Sequence, residues 1–160
     1  MTSPTTFERT LRAFAISPAL LGAALALAGC GGGDPFTRVE ASFDRTVNDI
    51  CTRCPQITGT TTESECRTAA NANNPFEGAE WNCQRGVYMD YSSELAPTYD
   101  CVARAVSGFE TCMRNAASTC PPASGTTQAC SDQMNTAINA CPQPDSIMAA
   151  QALSVCFADG

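Results

Sequence analysis

The distribution of cysteine constrains this chain more than any other feature. Eleven of its 160 residues are Cys and none is His. Cys30 ends an apolar N-terminal stretch, and the other ten form an even set at the density of a disulfide scaffold. In an exported chain such a set predicts five bridges rather than thiolate metal binding. The ten candidates are Cys51, Cys54, Cys66, Cys83, Cys101, Cys112, Cys120, Cys130, Cys141 and Cys156.

The N-terminal segment has the composition of an export signal. Arg9 and Arg12 precede residues 13–28, which are nearly all apolar. That run is shorter than the roughly 20 residues of a membrane-spanning helix. It fits the apolar core of a signal peptide that ends in small residues.

The apolar run ends in a tetrapeptide that resembles the lipobox of bacterial lipoprotein precursors. Its residues are Leu27, Ala28, Gly29 and Cys30. The resemblance covers only the first 30 residues. It implies removal of residues 1–29 and lipidation of Cys30, on a protein held in the bacterial cell envelope. The outer membrane is favoured, with the protein facing the periplasm or the exterior. The alternatives are an ordinary secretory signal in which Cys30 is incidental, or a buried helix.

Residues 30–34 follow as a lipidated cysteine and a Gly-rich tether, and residues 35–160 as a Cys-rich domain. Four tether residues span at most about 14 Å, so we expect the domain to lie close to the membrane. The whole chain has a net charge of −7. An acidic surface disfavours nucleic acid and anionic lipid as partners. The membrane contact is therefore expected through the lipid, and any envelope or extracellular partner is unidentified.

Apolar spacing predicts an all-α domain, a disulfide-stapled small helical bundle. An Asp34-Pro35 start and an apolar stripe predict a helix over 35–54. A capping box at 62–65 opens a second helix that ends near 72, and 75–83 is expected to be a loop. Further helices are predicted over 84–95, from Pro97 to about 119, after a Thr127 cap, and after an Asp145 cap.

A weak internal repeat divides the domain into possible halves at 35–95 and 97–160. The eight residues from Cys54 resemble the eight from Cys120 at an offset of 66. Each half would contain three helices with a Cys-Pro turn after the first. Chance similarity in an Ala- and Thr-rich chain is the alternative.

Helix geometry suggests a disulfide pairing for the second half. Cys101 and Cys112 are eleven residues apart, as are Cys130 and Cys141, and eleven residues make about three helical turns. An antiparallel hairpin would therefore join matching positions. The full set proposed is Cys101–Cys141, Cys112–Cys130, Cys120–Cys156, Cys51–Cys66 and Cys54–Cys83. The rival is simple hairpin closure, with Cys54–Cys66 and Cys120–Cys130.

No catalytic residue, cofactor or metal is assigned. The absence of His excludes Ser-His-Asp and Cys-His nucleophiles and every His-containing metal site. Cys51 and Cys54 have the spacing of a redox pair, but they fall at a helix C-terminus, where the dipole does not stabilise a thiolate. Carboxylate chemistry would need pairs such as Asp90 with Glu94, or Glu77 with Glu80.

The leading expectation is thus a non-enzymatic binding or structural module. A carboxylate or Cys51/Cys54 redox enzyme of the envelope is the alternative, and a small inhibitor or toxin-like domain is a weaker one. Four aromatic residues are expected to pack between the two halves rather than to form a recognition patch. They are Trp81, Tyr88, Tyr91 and Tyr99.

Overall fold

The computed structural model describes residues 33–157. The predicted signal peptide, the lipobox-like tetrapeptide and Cys30 lie outside this range. The described residues form six α-helices and one 3₁₀ turn, at Pro55–Thr58, with no strand among them. The helices are α1 Pro35–Arg53, α2 Glu63–Ala72, α3 Ala79–Asp90, α4 Ser92–Ala117, α5 Thr126–Asn139 and α6 Ile147–Cys156. The predicted all-α, disulfide-stapled class is confirmed. None of these helices is both long and apolar enough to cross a bilayer.

The predicted starts of α1 and α2 are confirmed by their caps. The Asp34 carboxylate accepts hydrogen bonds from the backbone N–H groups of Phe36 and Thr37. Thr62 and Glu65 form a reciprocal capping box at the start of α2. These contacts satisfy N–H groups that the first turn of a helix leaves without a partner.

Several predicted boundaries were wrong. Trp81 was expected in a loop, yet it lies in the first turn of α3, which begins after Gly78. Pro97 was expected to open a helix, but α4 begins at Ser92 and continues through the proline. A proline there removes only the hydrogen bond to the carbonyl of Ser93, which is exposed and accessible to water.

The N-caps of the last two helices also differ from the predictions. Gly125, with a φ of 83°, precedes α5 in place of Thr127. Ser146 caps α6 in place of Asp145, and its hydroxyl accepts from the N–H of Ala149. Each boundary moves by only one or two residues.

The organising contact is the parallel packing of α1 against α4. Arg38 pairs with Asp100, Arg45 with Glu110 and Arg114 with Asp49. Beyond the two helix ends, Cys54 is bonded to Cys120. The sequence separations of these pairs are 62, 65, 65 and 66. A nearly constant separation means that both helices advance in the same direction.

Two antiparallel hairpins are built on this parallel pair. One hairpin consists of α4 and α5 and is joined by bridges Cys101–Cys141 and Cys112–Cys130. The other consists of α1 and α2 and is joined by Cys51–Cys66. These three predicted bridges are confirmed. They follow from matched spacing along adjacent helices, which the sequence displays.

The other two predicted bridges were wrong. Cys54 was expected to pair with Cys83, but Trp81 and Arg85 place α3 against Glu40 of α1. Fourteen helical residues separate Glu40 from Cys54, which is about 20 Å. Cys83 therefore lies too far from Cys54 to bond it.

Cys120 was expected to pair with Cys156, but it lies just beyond the C-terminal end of α4, far from α6. Residues of α6 pack in one cluster with Leu95, Tyr99 and Ala103, which lie in the N-terminal part of α4. Cys156 is therefore bonded to Cys83, and Cys120 to Cys54. Both corrected bridges connect the two halves instead of closing within one.

A buried carboxylate sits at the α1–α4 contact. Glu110 is only 5% exposed. It accepts two hydrogen bonds from Arg45, from Nε at 3.0 Å and from Nη2 at 2.9 Å, and a further bond from Arg114. The hydrogen bonding from Arg45, followed by the charges of both arginines, lowers the pKa of Glu110.

The lowered pKa makes this contact sensitive to acid. The stabilisation is complete above the unfolded-state pKa of about 4.3, and it is lost as the pH falls through the lower folded-state pKa. We expect Glu110→Gln to reduce the free energy of unfolding at pH 7 by about 1.5–3 kcal/mol, because charge-assisted bonds to a buried group are lost.

The same variant should flatten the loss of stability between about pH 5 and pH 2. Denaturant unfolding across this pH range measures both effects. Asp44→Asn, which removes an exposed carboxylate from α1, is the control and should leave both nearly unchanged. An acid dependence for Glu110→Gln that matches the parent would contradict the role given to this carboxylate.

Candidate functional site

An aromatic cluster joins the two halves where α1 begins. Phe36 lies at its centre, with ring centroids 4.5 Å from Trp81, 5.4 Å from Tyr88 and 4.6 Å from Tyr99. Phe36 is fully buried, and Trp81 and Tyr99 nearly so. Trp81 and Tyr88 belong to the first half and Tyr99 to the second. The predicted packing role is therefore confirmed, and Tyr91 lies half-buried at the edge of the same cluster.

Trp81 and Arg85 form hydrogen bonds around this cluster, although Arg85 Nε is buried without a hydrogen-bond partner among the described residues. Trp81 Nε1 donates to Glu40 Oε1 at 2.8 Å, and Arg85 Nη2 donates to Glu40 Oε2 at 3.1 Å. Arg85 also bonds the Asp34 cap at 3.4 Å, and its guanidinium carbon lies 5.6 Å from the centroid of the Phe36 ring. These contacts fix α3 against the start of α1, so the cluster is a structural joint.

The candidate carboxylates do not form a catalytic pair in a cleft. Glu77, Glu80, Asp90 and Glu94 are all exposed. None of them lines the groove of about 300 Å³ between α4 and α5. A carboxylic acid needs burial or a neighbouring negative charge to raise its pKa toward neutrality and act as a general acid. These four carboxylates lack the burial because they are exposed.

The proposed redox pair is not a pair in the structure. Cys51 is bonded to Cys66 and Cys54 to Cys120, and both cysteines are fully buried. A thiol-disulfide active site needs its two cysteines bonded to each other and one of them accessible. The redox interpretation of Cys51 and Cys54 was therefore wrong.

Within residues 33–157, no three Cys, Asp or Glu side chains converge as a metal site requires. The α4–α5 groove is lined mainly by apolar atoms, with Arg104 and Gln133 beside Phe109 and Met134. Its two polar groups carry no hydrogen bond to a catalytic partner in the described part of the chain. The groove therefore has a mainly apolar lining.

The most unusual surface belongs to α6. Ile147, Met148 and Val155 are 75%, 67% and 65% exposed. Together with Gln151 they span about 100° of the helix circumference, and we call these four residues the α6 outer face. The opposite side, with Ala149, Leu153 and Cys156, is buried. Exposed apolar residues grouped on one face mark an interaction surface more often than scattered ones do.

The sequence patterns predicted a helix after Asp145 but did not identify this outer face. A signal was available, because the ten residues of α6 include no charged side chain. A surface helix normally carries polar residues on its outer side. Phe36 belongs to the apolar stripe that predicted α1, but no local pattern in the sequence shows that three aromatic rings contact it.

Comparisons with protein-family models, with curated proteins and with solved structures find no match to this chain. The fold and the surfaces are therefore interpreted from their own residues.

The burial of Tyr99 gives the aromatic cluster a measurable signature. Its hydroxyl donates to Gln84 Oε1 at 3.1 Å, and burial raises its pKa well above the ordinary value. Its contribution to stability is therefore complete below about pH 10 and is lost as the pH rises beyond that value.

Burial also raises the pKa of Tyr88, which is less deeply buried than Tyr99, so we expect tyrosinate absorbance at 295 nm to show Tyr99 as the last phenol of the native protein to titrate. Tyr99→Phe should remove this late step and reduce the free energy of unfolding by about 1 kcal/mol. Tyr91→Phe is the control and should retain the step. Identical titration curves for native and denatured protein would show that Tyr99 is not buried as described.

Proposed function

We propose that this protein is a lipid-anchored protein of the bacterial cell envelope, and that its helical domain is a binding or structural module rather than an enzyme. The lipid on Cys30 holds it to the membrane, with the outer membrane favoured. Partners other than the membrane are proteins or surfaces of the envelope or the exterior. Nucleic acid is disfavoured by the net charge of −7.

The observation that carries this proposal is the pairing of the cysteines. All ten cysteines after Cys30 are bonded to one another. None of them is left as a bonding partner for Cys30, which agrees with a thiol reserved for lipid. Five bridges also require an oxidising compartment, to which the signal-like N-terminus would direct the chain.

The surface supports a binding role over catalysis. The α6 outer face offers exposed apolar side chains to a partner. The candidate carboxylates are exposed and do not line the groove, and the Cys51/Cys54 pair is divided between two bridges. No observation favours the enzymatic alternative.

The test is the intact mass of the protein purified from bacterial membranes and alkylated without reduction. We expect a chain that begins at Cys30, carries a diacylglycerol-type addition and takes up no alkyl group. Its mass should be lower by the ten hydrogens that five bridges remove.

Cys30→Ala should abolish the lipid addition and release the protein from the membrane fraction. Gly32→Ala, which changes only the tether, is the matched control and should stay lipidated. An unmodified, alkylatable Cys30 would contradict the anchor. Two alkylated thiols mapping to Cys51 and Cys54 would contradict the bridges described for these cysteines.

A further inference from the structure

The α6 outer face has no partner among the described residues. Helix α6 lacks charged side chains, and only Gln151 and Ser154 among its ten residues are polar, whereas most surface helices have a polar outer side. Ile147, Met148 and Val155 each expose about two thirds or more of their surface. A helix of this composition is typical of one that is covered on both sides.

The position of α6 in the fold suggests what covers it. Its bridge from Cys156 to Cys83 fixes α6 to α3, and Arg85 of α3 binds Asp34 at the start of α1. The inner side of α6 packs in the same core cluster as Phe36. The α6 helix therefore lies at the end of the molecule where α1 begins.

This end is also where the chain leads to the anchor. Cys30 and Asp34 are four residues apart, so the start of α1 lies within about 14 Å of the lipidated residue. With the proposed lipid on Cys30, this short tether keeps Asp34 and the elements packed around it near the membrane surface.

We propose that the α6 outer face rests on the bilayer that holds Cys30, with Ile147, Met148 and Val155 in the interfacial region. This inference rests on the proposed lipid anchor. Transfer of apolar side chains from water to the membrane interface lowers the free energy. Zwitterionic lipid is the expected surface, because the acidic chain disfavours anionic lipid and α6 has no positive charge to attract it. The contact would hold the domain in one orientation instead of letting it rotate on its Gly-rich tether.

The two methionines of opposite exposure provide a direct test. Met148 is 67% exposed and Met113 only 5%, and oxidation by hydrogen peroxide follows exposure. Lipidated protein in phosphatidylethanolamine–phosphatidylcholine vesicles is compared with the Cys30→Ser mature chain in buffer, and sulfoxide at each position is measured by mass spectrometry. We expect Met148 to oxidise about fivefold or more slowly on vesicles, and Met113 to oxidise slowly in both.

Variants of the face separate docking from anchoring. Ile147→Asp with Val155→Asp should restore rapid oxidation of Met148 while the protein still floats with the vesicles through its lipid. Thr68→Asp, at an exposed position of α2, should leave Met148 protected.

Three results would overturn the inference. Equal oxidation of Met148 on vesicles and in buffer, in a protein that floats, would refute docking and leave the anchor intact. Protection of Met148 in buffer that grows with protein concentration would assign the face to a second copy of the chain. A protein without lipid that fails to float would refute the anchor, and the docking with it.

Discussion

The structure depends on the parallel contact between α1 and α4. Consecutive helices joined by short turns usually pack antiparallel, but here α2 and α3 intervene and return the chain to its starting end. Parallel packing brings the two Cys-Pro turns side by side, so Cys54 meets Cys120. It also places α3 and α6 together at the opposite end, where Cys83 meets Cys156. One geometric choice thus determines both bridges between the halves.

The bridges compensate for a modest core. The buried side chains form two clusters, one near each end of the α1–α4 pair, and many of their members are Ala or Cys. Small side chains bury little apolar area, so packing alone contributes less than in a Leu-rich bundle. Each disulfide adds about 2–4 kcal/mol by restricting the unfolded chain. Among charged residues in the described range, only Glu110 is buried, and two arginines compensate its charge.

The sequence predicted what is local and missed what depends on the arrangement of the helices. The spacing of Cys101, Cys112, Cys130 and Cys141 is a property of one hairpin, and it yielded the correct bridges. The bridges of Cys54 and Cys83 depend on helix direction across 66 and 73 residues, which no local pattern encodes. The offset of 66 between the two Cys-Pro turns hinted at their contact. By itself the offset indicated an alignment of the two halves and not a contact between them. The α6 outer face was missed for a related reason, since only the assembled fold shows which side of this uncharged helix is left uncovered.

The most direct test of this account is a tryptic digest under non-reducing conditions. Trypsin cuts this chain only after Arg because it has no Lys, and cleavage at Arg85 separates the cysteines of the first half from those of the second. The account predicts that all fragments containing the ten cysteines after Cys30 remain in one disulfide-linked species, which reduction then separates. Two separate species would contradict it, one containing residues 46–85 and the other residues 86–160, because bridges would then close within each half and the parallel α1–α4 contact would have no covalent link.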